Sequence, residues 1–201
     1  MIMDFVSFGR IPRLTRDCMI TEKIDGTNGQ IYIEKLLPDT VVPKIVDYIV
    51  TEHEGDKYLL LVGSRNRWLS DHQDNFGFWH WVSANKNELV RLGEGRHFGE
   101  WWGKGIQRGY GLDHRRFSLF NLKKWGDPEV RPQCCEVVPL LHKGVFGTDV
   151  ADYVLRELAK NGSKAVPGFA KPEGIVVYHK AAGVLFKKTI ENDNTPKGQI
   201  Q

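Results

Sequence analysis

A lysine lies two residues before an aspartate–glycine turn in the segment Lys23-Ile24-Asp25-Gly26. The apolar run that begins at Gln30 predicts a β-strand after this turn. A lysine in this position can act as a nucleophile, because the turn lets backbone N–H groups approach a phosphate and a cation-rich, poorly solvated pocket favours the neutral amine. The same four residue types also arise in ordinary hairpins. Their interpretation therefore depends on the groups that follow along the chain.

Further groups of polar, aromatic and glycine residues follow in a fixed order. They are Gly63-Ser64-Arg65, His97-Phe98-Gly99-Glu100-Trp101-Trp102-Gly103, Phe117-Ser118-Leu119-Phe120, Lys171-Pro172-Glu173-Gly174 and Val184-Leu185-Phe186-Lys187-Lys188. In this order they resemble the motifs of the covalent nucleotidyltransferases, the superfamily of ATP-dependent DNA ligases, RNA ligases and mRNA-capping enzymes. Thr27-Asn28 and the run from Gly99 to Gln107 are most similar to the RNA ligases. The resemblance extends from about Glu22 to Lys188.

The resemblance implies that Lys23 attacks the α-phosphorus of ATP, that pyrophosphate leaves, and that a lysyl–AMP intermediate forms. AMP then passes to a 5′-phosphate end, which is joined to a 3′-hydroxyl. Glu100 and Glu173 are expected to be catalytic carboxylates that help place Mg²⁺ or Mn²⁺, since a divalent ion offsets the charge of a triphosphate. A lysine of the last motif is expected to hold the α-phosphate. Strand alternation lets only one of Lys187 and Lys188 face the pocket, and we favour Lys187.

The resemblance also assigns a set of residues to the nucleotide. Phe120 is expected to stack on adenine, and Glu22 to contact the adenine edge. Arg65 is expected to reach the ribose hydroxyls, while Ile24, beside the lysine, belongs to the same predicted binding set. Asn28 resembles an asparagine that RNA ligases need after adenylylation, when AMP moves to the polynucleotide. This residue favours a polynucleotide substrate over simple nucleotide binding.

A glycine-rich run spans residues 99–111. It lacks the Gly-Lys-Ser/Thr sequence that follows a strand in a P-loop, so a P-loop is excluded. Arg108, Arg115 and Arg116 lie in or just after this run. They are compatible either with contacts to nucleic-acid phosphates or with a solvated surface.

Composition narrows the class of protein. The chain has 201 residues, 41% hydrophobic and 26% charged, which is typical of one globular domain. No apolar run approaches the about 20 residues of a membrane span. The three cysteines provide no disulfide framework, and we expect a reduced, cytoplasmic protein. The net charge of +3 is compatible with a polyanionic partner such as RNA.

Hydrophobic periodicity predicts the elements around the motifs. Strands are predicted at 30–35, 58–64, 97–102, 117–122, 135–141, 175–178 and 184–187. The first two are expected to pair, as are the last two. Helices are predicted over 74–92 and over 148–159, the second with Thr148 as its N-cap. Residues 44–50 fit either a strand or a helical turn. Phe117 and Phe120 cannot share one face of a strand, so one of them must turn away.

These elements predict an α+β fold of mainly antiparallel sheets with packed helices, as in an ATP-grasp-like ligase adenylation domain. We expect this nucleotidyltransferase domain to span residues 1–190 and a polar tail to span 191–201. Only 13 residues follow Lys188, too few for the second domain that closes over the nucleotide in most ligases. We therefore expect a minimal core that either seals ends unaided or depends on a partner protein for the closing surface.

RNA ligase is the favoured activity, with ATP and Mg²⁺ or Mn²⁺ as cofactors. The alternatives are a DNA nick ligase, a capping guanylyltransferase that uses GTP, and a nucleotide- or RNA-binding module without catalysis. The short chain speaks against capping, and the full set of charged site residues speaks against a module without activity. Asn28 and a modest basic charge do not by themselves choose between RNA and DNA strands, because recognition of the 2′-hydroxyl leaves no short signature.

Overall fold

The computed structural model describes residues 3–38 and 47–193. The chain divides into two compact units. Unit 1 consists of Met1–Lys23 and Pro139–Gln201, and unit 2 consists of Ile24–Val138. The strands are β1 (Asp17–Lys23), β2 (Thr27–Lys35), β3 (Ile49–His53), β4 (Asp56–Gly63), β5 (Gly95–Gly103), β6 (Arg115–Leu119), β7 (Cys135–Val137), β8 (Leu140–Val145), β9 (Gly174–His179) and β10 (Val184–Thr189). The helices are α1 (Phe78–Ala84), α2 (Lys86–Leu89), α3 (Leu122–Trp125) and α4 (Thr148–Asn161), with a 3₁₀ turn at Val90–Leu92.

Unit 1 is a four-stranded antiparallel sheet with one face covered by α4. The strand order is β10-β9-β1-β8. Alternate residues of β1 and β9 point to the helix, and the core they form with it consists of Cys18, Ile20, Ala151, Val154, Leu158, Ile175 and Val177. Because side chains alternate along a strand, Glu22 lies on this helix-covered face and Lys23 lies on the opposite face.

Unit 2 is built on a six-stranded sheet in the order β3-β4-β2-β5-β6-β7. All neighbours are antiparallel except β6 and β7, which are parallel. One face of the sheet packs on α1 and α2, and the largest buried side chains of this core are Trp101, Phe78, Phe117, Ile31, Ile33 and Leu60. The opposite face therefore carries the alternating residues Asn28, Phe98 and Glu100.

The predicted α+β class is confirmed. Strands β2 and β4 pair as predicted for 30–35 and 58–64, with Gln30 opposite Gly63. Strands β9 and β10 pair as predicted for 175–178 and 184–187. The strands themselves were predictable because the apolar pattern of each is a local signal, which is what sequence periodicity reports.

The helix predicted over 74–92 is wrong in its extent. It begins only at Phe78 and breaks at Asn85 before the shorter α2. Asp74 is the reason for the late start, because its carboxylate accepts hydrogen bonds from the backbone N–H groups of Asn75, Trp79 and His80 and so caps the helix from outside. Burial pushes the pKa of Asp74 up, but the hydrogen bonds from His80 and these N–H groups outweigh it and lower the pKa.

Three other boundaries differ from prediction. The strand predicted over 135–141 is two strands in different sheets, since β7 pairs with β6 and β8 pairs with β1. The strand predicted over 117–122 ends at Leu119, because Asn121 caps a short helix through a bond from Lys124 N–H to its side chain. Helix α4 has Gly147, not Thr148, at its N-cap and continues to Asn161.

Strand β1 was not predicted, although it carries the lysine of interest at its end. Of the ambiguous segment 44–50, residues 44–46 lie outside the described residues and Ile49 begins β3. Most of the predicted tail, from residue 194 onwards, also lies outside them. No helix within 3–38 and 47–193 combines the length and apolarity that crossing a membrane requires.

Candidate active site

Lys23 forms an ion pair with Glu173 in unit 1. The lysine is the last residue of β1, where it pairs with Gly174 at the start of β9. Its Nζ atom lies 2.5 Å from Oε2 of Glu173, and the two side chains are 20% and 4% exposed. A hydrogen-bonded carboxylate this close holds the Lys23 side chain in place and is positioned to receive its proton.

A side chain at position 174, directly after Glu173, would collide with the neighbouring strand. The φ of Gly174 is +159°, and a Cβ atom there would overlap the carbonyl oxygen of Lys188 on β10. Only glycine lets β10 approach the start of β9 this closely. The Glu173-Gly174 pair thus places a buried carboxylate at the point where three strands converge.

Lys187 and Lys188 lie on opposite faces of the unit 1 sheet. Thr21, Val176 and Lys187 stand in one row across β1, β9 and β10, and alternation places Lys23 on the same face as this row. Lys188 lies on the face covered by α4 and forms an ion pair with Asp152 of that helix. This hydrogen bond raises the pKa of Lys188 and lowers that of Asp152. Lys187 is therefore the one of the two that shares the face of Lys23.

Glu22 is almost completely buried on the helix-covered face. Its carboxylate accepts hydrogen bonds from the Ser163 hydroxyl at 2.6 Å and from the N–H groups of Lys164 and Ala165 at 2.7 and 2.9 Å. These three donors come from the loop after α4. Glu22 thus anchors the end of β1, a role that the sequence did not predict. Its contact with the adenine edge stays a prediction.

In unit 2, Asn28, Arg65 and Glu100 form one hydrogen-bonded chain. Asn28 and Glu100 stand opposite each other on β2 and β5. The Glu100 carboxylate accepts bonds from Gly26 N–H at 3.1 Å and from the Asn28 amide at 3.3 Å. Arg65 Nε donates to the Asn28 side-chain oxygen at 2.7 Å. Three residues that the resemblance assigned to the nucleotide are therefore brought together on one face of the sheet.

Phe117 and Phe120 turn to opposite faces, as the strand geometry predicted. Phe117 is completely buried in the core of unit 2, whereas the ring of Phe120 is 41% exposed. Phe120 directly follows β6 and donates its N–H to the carbonyl of Phe98 on β5. Of the two rings, Phe120 is the one available to a ligand.

Ile24 and Asp25 are buried in unit 2. Asp25 accepts a hydrogen bond from Arg108 Nε at 3.1 Å, and its backbone N–H donates to the Tyr110 hydroxyl at 2.9 Å. Sequence reasoning missed Asp25, Arg108 and Tyr110 as a group. The available signal was the glycine-rich run itself, whose Gly109 and Gly111 have left-handed φ angles that turn Tyr110 back towards Asp25.

The three arginines of this run are engaged by the protein. Arg108 binds Asp25, and Arg115 donates to the carbonyl oxygens of Lys104 and Phe76 at 3.0 and 2.8 Å. Arg116 pairs with Glu136 at 3.2 Å and stacks over Trp102. Arg115 is also exposed, so contact with nucleic-acid phosphates and a solvated surface both stay predictions.

The carboxylate of Glu173 is compatible with a metal ion whose other ligands come mainly from the substrate. Among residues 3–38 and 47–193, no cluster of three or more histidine, cysteine or acidic side chains could hold an ion by itself. Magnesium typically takes only one or two carboxylates and completes its shell with phosphate oxygens and water. Glu173 meets that requirement as a buried carboxylate beside the candidate nucleophile.

The sequence profile of the RNA ligase family matches residues 16–189. The chain belongs to the RNA ligase family. This match covers every predicted site residue, from Glu22 to Lys188.

Solved structures of a Naegleria gruberi RNA ligase share the fold. A mutant of that ligase with AMP and Mn has a TM-score of 0.57 and 18% identity; the match covers 88% of this chain and 50% of that one. A mutant with ATP and Mn has a TM-score of 0.56 and 18% identity, covering 86% of this chain and 48% of that one. The chain spans about half the length of these solved ligases. No curated protein matches it.

Proposed function

We propose that this protein is an ATP-dependent RNA ligase that first attaches AMP to Lys23. The observation that carries the proposal is the ion pair between Lys23 and the buried Glu173 at the end of β1, in a chain of the RNA ligase family. A lysine that serves only as a surface charge does not require a buried carboxylate 2.5 Å from its Nζ atom. A nucleophilic lysine requires one, because its side chain has to be held in place and then deprotonated.

In the first step, Lys23 Nζ loses its proton to Oε2 of Glu173 and attacks the α-phosphorus of ATP. The nitrogen–phosphorus bond forms, the bond from the α-phosphorus to the bridging oxygen breaks, and pyrophosphate leaves with the electron pair. Lys187 shares the face of Lys23 and offsets the negative charge that grows on the α-phosphate. When bound, Mg²⁺ or Mn²⁺ would neutralise charge on the phosphates. Glu173 in unit 1 is a candidate carboxylate ligand, and Glu100 in unit 2 is the other carboxylate that the resemblance assigns to a metal.

Unit 2 supplies the groups for the nucleoside. Phe120 offers an exposed ring for adenine, and Arg65 and Glu100 offer polar groups for the ribose or a metal-bound water. The resemblance also assigns Glu22 and Ile24 to the nucleotide; both side chains are buried, Glu22 on the face opposite Lys23. Asn28, bonded to both Arg65 and Glu100, acts in the second step, in which AMP passes to the RNA 5′-phosphate.

We further propose that residues 1–190 form the adenylation domain, that the protein works in the cytoplasm, and that the polynucleotide is RNA. We also propose that a partner protein can supply a closing surface during strand joining.

The test is incubation of the purified protein with Mg²⁺ and α-labelled ATP or GTP, followed by a denaturing gel. We expect a labelled band with ATP that is abolished in Lys23→Ala and retained in Lys160→Ala, a matched control at an exposed position of α4. Persistent labelling of Lys23→Ala would remove Lys23 from the mechanism. Labelling with GTP alone would indicate a capping enzyme.

Labelled protein is then given 5′-phosphorylated RNA and, separately, 5′-phosphorylated DNA. Transfer of AMP to RNA supports the RNA substrate, and preferential transfer to nicked DNA contradicts it. Transfer without joining would indicate that the closing surface comes from a partner.

A further inference from the structure

Phe98 is exposed in a place where a large apolar residue is normally buried. It lies near the middle of β5, which runs between β2 and β6 in the unit 2 sheet. Its neighbours His97 and Gly99 are buried on the core face, yet Phe98 itself is 51% exposed. The ring is therefore exposed because this face of the sheet is open around it.

Phe98 and Phe120 stand opposite each other, Phe98 on β5 and Phe120 directly after β6. Gly99 stands opposite Leu119 in the register of β5 and β6, and the next pair outward is Phe98 with Phe120, joined by a 3.0 Å hydrogen bond between their backbones. Residues opposite each other on one face have Cβ atoms about 5 Å apart. One adenine needs only one of these rings, and Phe120 is the ring assigned to it. Phe98 is left for a second planar group.

A guanidinium lies next along the same strand and face. Arg96 is two residues from Phe98, is exposed, and rests over the rings of Tyr32 and Trp68 at 5.0 and 5.5 Å. It also donates to the Gln30 side chain at 3.2 Å, which fixes its position. A preoriented cation beside an exposed aromatic ring is the combination that binds the phosphate and base of a single strand.

We propose that Phe98 is a second base-stacking position and takes an unpaired base of the RNA substrate, with Arg96 at an adjoining phosphate. This inference rests on the proposed function, since it names a contact of the same RNA substrate. It assigns to Phe98 a role distinct from the adenine contact of Phe120. Stacking is tolerant of base identity, so the position adds affinity for RNA without selecting a sequence.

The experiment measures binding of a fluorescent single-stranded RNA by polarisation, with no ATP added. Phe98→Ala is expected to weaken RNA binding by about tenfold, the usual effect of losing one stacked base, while Phe98→Trp retains it. The matched control is Tyr153→Ala, which removes a similarly exposed ring from α4 and is expected to leave RNA affinity unchanged. Arg96→Gln is expected to flatten the dependence of affinity on salt.

Unchanged RNA affinity in Phe98→Ala would overturn the inference. So would a rise in the KM for ATP in the labelling reaction with RNA affinity intact, because the ring would then belong to the ATP site. Failure of the normal protein to become labelled by ATP concerns the proposed function alone, since RNA binding is measured without that step.

Discussion

Each unit contains a glutamate next to a glycine in the sequence, Glu173 before Gly174 and Glu100 after Gly99, but the two carboxylates have different partners. In unit 1, Glu173 is buried and its described ion pair is with Lys23, a charged group that is itself the candidate reactant. In unit 2, Glu100 accepts hydrogen bonds from neutral donors, the Gly26 N–H and the Asn28 amide. Glu173 is therefore placed to accept a proton from Lys23, whereas Glu100 is placed to orient Gly26 and Asn28.

Replacement of Glu173 is expected to have the largest effect after loss of Lys23 itself. Glu173→Gln retains the shape of the side chain but cannot accept the lysine proton, so Lys23 labelling should fall by about 10²- to 10⁴-fold. The measurement is the single-turnover rate of labelling across pH. Recovery of the rate at high pH, where solvent removes the proton, would support the assignment. If Glu173→Gln were labelled at neutral pH at a rate within a few-fold of normal, Glu173 would not be the proton acceptor, and the proposed difference between Glu173 and Glu100 would be wrong.

Variants of the two lysines of β10 test whether labelling of Lys23 depends on the face of the unit 1 sheet on which a lysine lies. Lys187→Ala should reduce labelling by about 10²-fold, because the charge on the α-phosphate loses a cation. Lys188→Ala is the matched control, since it removes the same side chain from the opposite face, where its partner is Asp152. We expect Lys188→Ala to label within a few-fold of normal. A larger loss of labelling in Lys188→Ala than in Lys187→Ala would contradict the assignment of Lys187 to the α-phosphate.

Glu100→Gln should have a smaller effect than Glu173→Gln. The amide keeps one acceptor but turns a donor towards either Gly26 N–H or the Asn28 amide, which disturbs the orientation of neighbouring groups. Loss of such an orienting partner typically costs 10- to 100-fold, so we expect about 10-fold in labelling. Glu100→Asp is the companion variant. If Glu100→Gln lowered the rate as much as Glu173→Gln, Glu100 would also act through its charge.

The smallest expected effect is a loss of stability against unfolding in mild acid, and this loss should differ between the two units. In unit 2, burial lowers the pKa of His97, so the unfolded chain binds a proton more readily and stability is lost as pH falls below about 6.5. In unit 1, the hydrogen bond from Lys188 lowers the pKa of Asp152, so its contribution is lost only as pH falls below the ordinary range of a carboxyl. Unit 2 should therefore weaken first.

Tryptophan fluorescence measures this difference directly, because all six tryptophans lie in unit 2. The urea midpoint from fluorescence should fall between pH 7.5 and 5.5, and the fall should be smaller in His97→Gln. His72→Gln serves as the control at a highly exposed histidine. An equal fall in both variants would show that His97 does not set the acid response.

Much of the site could be found from the sequence because its motifs are local. The lysine before an Asp-Gly turn, the glutamate beside glycine and the alternation of Lys187 with Lys188 are all readable within a few residues. The same holds for strands β2 and β4 and for the β9–β10 hairpin. Strand alternation also predicted that only one of Phe117 and Phe120 would be exposed, as the structure has it.

The sequence could not report partners that lie far away along the chain. Ser163 binds Glu22 across 141 residues and Arg108 binds Asp25 across 83. Neither contact leaves a periodic signal, because a side-chain hydrogen bond depends on where the two backbones are brought by the sheets.

The sequence by itself determined the order of the motifs, the family resemblance and the identity of the candidate nucleophile. Only the tertiary structure decided that Lys187 shares a face with Lys23, that Lys188 is bound by Asp152, and that Phe98 stands exposed beside Phe120. The physical reason is that chemistry is encoded in residue type, which the sequence lists directly. The face on which a side chain lies, and what it meets there, depends on strand register and on the packing of helices over the sheet.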